Sequence, residues 1–292
     1  MRFDTKALRA AIERCDADIF VAEHAYMAES FLESAHAGNR RLVVNTHVSE
    51  ALVWRATRGA LGLIEAPRLR RDELRVARAA DAVGALDADE AEYYRSRGVA
   101  NARWLDLTMP PGEQVDLSAS SPRLVFLGTR SWPPNQEAFE RALDLWPRIA
   151  EGIADAELVV VGPKAGGAKD VAYPHGVRDL GFVEDLDGLL STCRAMMAPI
   201  LTGGGVRVKL LEAASVGLPF IGSSLAVGSL GSVFAMQTFD GDGAFIAECR
   251  RLLKDRAAAV AAGNHLYESN RDHWLAHRPL MALESLIRPP AT

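Results

Sequence analysis

Short apolar runs recur along the first part of the chain, DIFVA at 18–22, RLVVNTH at 41–47 and DAVGAL at 81–86, each followed by a stretch long enough for a helix. That alternation predicts parallel strands joined by helices. It lapses between about 105 and 122, where LDLTMPPGEQVDLSASSP supplies prolines and serines without periodicity and reads as a linker. A second series follows: RLVFLG at 123–128, AELVVVG at 156–162, VRDLGFV at 177–183, RAMMAPI at 194–200 and LPFIGSS at 218–224. Runs this apolar suit strands covered on both faces. Helical spacing between them, at 135–149 and 206–216, completes a doubly wound unit.

The first part holds only three or four strand candidates and no glycine-rich first strand-to-helix turn, so a reduced domain is expected, with something missing at its start. Past 265 the pattern predicts one or two helices that pack across the domains. The expected organisation is therefore an N-terminal Rossmann-like domain at 1–118, a second at 119–265, and terminal helices at 266–292. A length of 292 residues agrees with two compact units.

Composition narrows the function classes. Hydrophobic residues at 49% and charged residues at 24% describe an ordinary globular chain, and a net charge of -5 argues against a surface devoted to nucleic acid. Cys15, Cys193 and Cys249 are odd in number and far apart, which speaks against a disulfide framework or a zinc site. There is no apolar stretch long enough for a membrane span, and the opening residues lack a signal-peptide apolar region. A cytoplasmic location is the expectation.

The densest chemistry lies in APILTGGGVRVKLLEAASVGLPFIGSS at 198–224. Gly203, Gly204 and Gly205 precede a helix, where a phosphate could approach the backbone and meet free N–H groups at the positive helix end. Arg207 and Lys209 add cations in the first turn, and Glu212 shares a face with Lys209 and could accept hydrogen bonds from ribose hydroxyls. On the residues alone a second reading stays open, in which the glycines make a tight turn and the charges are a solvated helix face.

This segment resembles the C-terminal domain of the retaining family 4 glycosyltransferases, of the group 1 type. The likeness rests on GGGVRVKLLEAASVGLP, on Pro134 and Asn135 in FLGTRSWPPNQEAF, on Gly162 in LVVVGPK and on Asp185 in LGFVEDL, and covers about 123–235. It implies an α/β GT-B fold, with two Rossmann-like domains facing a cleft. Residue by residue it makes Arg207 and Lys209 the diphosphate ligands and Glu212 the ribose ligand. Gly128, Asn135, Val183, Gly203, Gly204 and Gly205 complete the donor site. Many members carry an acid eight positions before Glu212; Gly204 stands there, which leaves the sugar open.

The first domain resembles the family more faintly. VVNTHVSEALVWR looks like a degraded HNxE segment in which His47 and Glu50 match and Val48 replaces the asparagine. The resemblance places His47 beside the reacting sugar as a catalytic residue; the alternative is a loop histidine that satisfies backbone groups. His24, after Glu23 at the end of DIFVA, has the same topological placement.

Arg68, Arg71, Arg75 and Arg78 recur at helical spacing, either as a solvated face or as a basic stripe for anionic lipid or a phosphorylated acceptor. Asp87 with Asp89, and Asp240 with Asp242, form D-x-D pairs, but the first reads as a helix cap and the second as a turn, so no metal site is expected. No P-loop or nucleophile elbow occurs.

The resemblance thus implies metal-independent transfer of a hexosyl group, with retention, from a UDP- or GDP-sugar to a hydroxyl of a glycan, a lipid-linked acceptor or a small molecule. No cofactor beyond the donor is expected, and no nucleic acid. Peripheral contact with the inner membrane face and assembly with a second copy or partner subunit belong to the same reading. Two other classes remain: a nucleotide-sugar-binding accessory subunit with weak catalysis, and an epimerase or phosphorylase sharing the architecture.

Overall fold

The computed structural model describes residues 5–164 and 172–288, so the ends of the expected first and last segments lie outside the described residues. The chain divides into two compact units. One comprises Met1–Leu107, Gly204–Val206 and His277–Thr292; the other comprises Thr108–Gly203 and Arg207–Ala276.

In the first unit, α1 (Thr5–Glu13), β1 (Ile19–Glu23), α2 (Glu29–Leu32), β2 (Arg41–Thr46), α3 (Glu50–Thr57), α4 (Gly59–Ala79), β3 (Ala82–Ala85), α5 (Ala88–Ser96) and β4 (Ala102–Trp104) follow in order. The strands form one parallel sheet in the order β1-β2-β3-β4, with Val43 opposite Ala82 and Glu23 opposite Asn45. All crossovers step in one direction, so among the described residues this sheet has no point where strand order reverses. The Asp87 side chain caps α5 by accepting the Asp89 N–H at 3.0 Å, which is the structural role the D-x-D spacing suggested.

In the second unit come β5 (Arg123–Leu127), α6 (Pro133–Ala150), β6 (Glu157–Val161), β7 (Val177–Gly181), α7 (Leu186–Leu190), β8 (Ala195–Ala198), α8 (Val208–Val216), β9 (Phe220–Gly222), α9 (Ser224–Val227), α10 (Leu230–Val233), α11 (Asp242–Lys254) and α12 (Arg256–Leu275). The parallel sheet runs β7-β6-β5-β8-β9. Its strands are short and, apart from the edge strand β7, buried along most of their length; in β5 and β6 this follows from Leu124, Val125, Phe126, Leu158, Val159 and Val160, apolar without alternation. Helix α6 opens on two prolines suited to its first turn and buries Ala138, Phe139, Ala142, Leu145, Trp146 and Ile149 at helical spacing. Gly217, left-handed at φ 71°, ends α8.

Strand order reverses between β5 and β8: the chain winds outward through β6 and β7, then returns to the other side of β5. In open parallel sheets a crevice forms at the carboxyl ends of the two strands at such a switch point, and ligands bind there. The loops after β5 and β8 carry Gly128 and the glycine run respectively.

The segment after Leu107 is aperiodic but held. Gly112 N–H donates to Ser215 O at 2.8 Å, Val115 N–H to Val216 O at 2.9 Å, and α12 returns hydrogen bonds from Asn270 to Met109 O and from Tyr267 to Gly112 O. A final helix, α13 (Arg278–Ile287), belongs to the first unit, where Leu286 packs with Val43, Ala82 and Leu105.

Candidate nucleotide site and histidine cluster

In the second unit the switch-point strands deliver two loops whose side chains meet. Asn135, in the first turn of α6, donates through Nδ2 to Thr129 O at 3.0 Å and accepts the Lys209 ammonium through Oδ1 at 2.6 Å. Gly128 lies beneath it: a Cβ there would stand 3.1 Å from the Asn135 amide carbon. Thr202, just before the glycine run, hydrogen-bonds Glu137 of the same helix. The loop into α8 is thus tied to α6 at two points.

Arg207 is the N-cap position of α8, and its side chain makes no cap hydrogen bond, so the first-turn amides are not closed off by their own N-cap. Gly203 (φ +125°) and Gly205 (φ +84°) occupy backbone conformations that side chains rarely adopt. The Arg207 guanidinium lies over the backbone of Gly228. A Cβ at Gly228 would come within 2.7 Å of Nε and 2.8 Å of Nη2, so the glycine is what makes room for the cation.

Burial pushes the Lys209 ammonium down to about 8, against the upward pull of Glu212. The Glu212 carboxyl is raised, chiefly by burial and further by Asp187, while Lys209 opposes the rise. A half-buried cation so weakly held in its charged form gains most from an arriving anion. Lys209 is charged below about pH 8 and neutral above it, so an anion placed beside it is expected to be held less tightly as pH rises through that value. Lys209→Arg, whose charge does not titrate, should flatten the profile measured by calorimetry.

A buried cluster fixes the strand ends. Arg130, two residues after Gly128, pairs with Asp179 through Nη1 at 2.7 Å and Nη2 at 2.9 Å and also donates to Gly162 O at 2.7 Å. The two side chains are 3% and 6% exposed. The Tyr173 hydroxyl also bonds Asp179, which in turn accepts the Gly181 N–H at 3.1 Å. Burial opposes ionisation of Asp179, but the Arg130 and Tyr173 hydrogen bonds outweigh it and hold the carboxyl at about 2. The loops after β5 and β6 are thereby tied to strand β7.

Val183 follows β7, next to Phe182, whose ring is 77% exposed; Asp185 caps α7 by accepting the Gly188 N–H at 2.8 Å. Asp240 accepts the Ser224 N–H and Asp242 pairs with Arg141, so the second D-x-D is used structurally. Among the described residues no group of three His, Cys, Asp or Glu side chains is placed to hold a metal ion.

In the first unit, parallel pairing sets the ends of β1 and β2 side by side. His47 Nε2 meets Glu23 Oε2 at 2.5 Å, and Asn45 Nδ2 holds the other carboxylate oxygen at 3.0 Å. His24, at φ 73°, stacks on His47 at 4.5 Å between ring centres and on Tyr26 at 5.2 Å. Burial and then the His47 charge lower the His24 pKa, while Glu50 and Glu23 pull it back. His47 is therefore paired with a carboxylate rather than with backbone groups. Next to this cluster, Tyr26, Glu29, Glu50, Trp54, Asp72 and Glu73 help line a cavity of about 450 Å³.

Sequence reading passed over Glu23, Arg130, Asp179, Asp187, Phe182 and Gly228. Only Glu23 and Arg130 carried a visible cue, being charged residues at or just past the end of an apolar strand.

The two Rossmann-like α/β domains are those of the GT-B type of fold, shared with solved structures at low identity. The sequence model described as Glycosyl transferases group 1 matches residues 121–255, the stretch from β5 through α11. S. aureus TarM, solved as a mutant in complex with Fondaparinux, alpha-GlcNAc-glycerol and UDP, superposes with a TM-score of 0.77 at 11% identity over 99% of this chain. The chain spans only 59% of the length of TarM. Anabaena HepE in complex with UDP and glucose gives a TM-score of 0.70 at 13% identity, covering 97% of this chain and 81% of that one. Sucrose-phosphate synthase from Thermosynechococcus elongatus gives 0.68 at 16% identity, with coverages of 96% and 75%. No curated protein matches the chain.

Proposed function

We propose that this protein transfers a hexosyl group from a nucleotide diphosphate sugar to an acceptor hydroxyl, with retention and without a metal ion. The observation that carries the reading is the switch-point site of the second unit. There the first-turn α8 amides, Arg207 over Gly228 and the half-buried Lys209 ammonium come together at the start of one helix, a setting that favours a diphosphate. As the anomeric C–O bond breaks, negative charge grows on the departing phosphate, and fixed cations and amides stabilise it most in the transition state. Glu212, one turn into α8, would take the ribose hydroxyls, and Asn135 would orient Lys209 through Oδ1.

A UDP-sugar is the donor to try first, because TarM and HepE are both described with UDP. The acceptor side is assigned to the first unit. His47, held by Glu23, would contact the reacting sugar, and the cavity beside Tyr26 and Trp54 would take the acceptor, since aromatic faces and carboxylates suit a polyhydroxylated ligand. The free state of Cys15, Cys193 and Cys249 fits a reducing, cytoplasmic setting.

The competing reading is a nucleotide-sugar-binding subunit with weak catalysis, favoured by the single-direction sheet of the first unit. Incubation with UDP- and GDP-sugars, with and without a cell-extract acceptor pool, separates the two. A transferase releases UDP or GDP in an acceptor-dependent way. Thermal stabilisation by the donor without any release would leave only the binding subunit.

A further inference from the structure

Independently of the transferase reading, the hairpin formed by α3 and α4 carries an unusual surface. Leu61, Leu63 and Ile64 are 56%, 60% and 68% exposed, and Leu52 of α3 is 47% exposed. A soluble surface rarely gathers so many large apolar side chains within two helical turns. Their exposure has a structural cause. A Cβ at Gly62 would stand 1.9 Å from the Trp54 carbonyl oxygen, so α4 meets α3 on its Gly62 side, the same side that buries Val76 and Ala77. At about 100° per residue, Ile64 then points the other way, with Leu61 and Leu63 on the two flanks.

The same outward face continues into cations. Arg68 and Arg71 follow Ile64 by about 6 and 10 Å along the axis, at the 1.5 Å rise of a helix. From α3 and its corner, exposed Arg55 and Arg58 add to them, Arg58 lying over the Trp54 ring at 5.6 Å. The evenly spaced arginines do not act as one stripe: Arg75 pairs with Glu29 and Arg78 donates to Arg97 O at 2.7 Å. Arg68 also pairs with Glu65 at 3.3 Å, which tempers the local charge without reversing it.

We propose that the tip of the α3–α4 hairpin docks on an anionic lipid bilayer, with Leu61, Leu63 and Ile64 entering the interface and Arg55, Arg58, Arg68 and Arg71 meeting the headgroups. An apolar tip followed within two turns by arginines matches the depth profile of a bilayer surface, apolar inside and anionic at the rim. A second copy fits less well, because a two-fold contact through this tip would set the same cations against one another. The overall charge of -5 makes the local basic ring a feature of this face rather than of the whole chain. No helix among the described residues is long and apolar enough to cross a membrane, so the contact lies on the surface.

The test is co-sedimentation of the full chain with phosphatidylcholine vesicles made with and without phosphatidylglycerol. Binding is expected on the anionic vesicles and is expected to weaken with added salt. Replacing Leu61, Leu63 and Ile64 together by serine should lower the partition coefficient about 100-fold. Arg55→Gln with Arg71→Gln should lower it about 30-fold on anionic vesicles only. Melting curves matching the wild type would show that both variants fold. No partition of the wild type, or equal partition of the serine variant, would overturn the proposal. So would a wild-type dimer that the serine variant converts to a monomer in analytical ultracentrifugation.

Discussion

Alanine at both Arg207 and Lys209 is expected to lower acceptor-dependent nucleotide release by about 1,000-fold or more while the protein stays folded. Removing one preorganised group that faces developing negative charge costs about 3 kcal/mol in the transition state, and two groups acting on one diphosphate need not add. Folding should survive because α8 is held by its other side, through buried Leu210, Leu211, Ala213 and Ala214. The double variant should also lose the thermal stabilisation that UDP gives the wild type. Wild-type release rates from the double variant would contradict the site assignment.

The largest effect on stability is expected at Arg130. Arg130→Ala leaves the buried Asp179 carboxylate with only the half-exposed Lys164 ammonium, at 3.5 Å, a change that costs about 3 kcal/mol and lowers Tm by about 10 °C in a domain of this size. Replacing Arg130 and Asp179 together by apolar residues of similar volume should recover only part of that loss, because the charges disappear but Gly162 O, the Gly181 N–H and the Tyr173 hydroxyl lose their partners. The pair also predicts an acid limb. The Asp179 carboxyl falls from 3.8 to about 2 on folding, so its stabilisation is complete above the unfolded value and disappears as pH drops from about 4 through 2. Denaturant titrations across that range should show a shallower slope for Asp179→Asn. An unchanged Tm in Arg130→Ala would show that the strand-end loops are held by something other than this pair.

These two results probe different parts of one arrangement. Arg207 and Lys209 are proposed to act on the ligand, whereas Arg130 acts on the backbone that carries Gly128 and Gly162. The close approach of those glycines depends on it: a Cβ at Gly162 would stand 2.2 Å from Gly128 O. Strain and charge near the switch point are thus carried by residues that need not touch a nucleotide.

The second unit was readable because its signals are local. AELVVVG marks β6, Glu157–Val161, since an apolar run bounded by a turn glycine has few other uses in a chain of this composition. α8, Val208–Val216, falls inside the helical spacing read at 206–216 and ends on Gly217. β4 escaped because Ala102–Trp104 is three residues long and only Ala102 is buried, too little for any period. The Asn135 to Lys209 hydrogen bond spans 74 positions and the Arg130–Asp179 pair 49, so neither leaves a mark in local spacing. Glu23 and His47 meet only because the β1–β2 register sets Glu23 beside Asn45. Their partnership becomes visible once strand pairing is known, while apolar runs alone fix only which segments are strands.

The most direct test of the central claim is a crystal structure with UDP bound. The diphosphate is expected at the start of α8, within hydrogen-bonding distance of the Arg207 guanidinium and the Lys209 ammonium, with the ribose against Glu212. A nucleotide bound elsewhere, with Lys209 still bonded only to Asn135 and the α8 amides facing solvent, would contradict it.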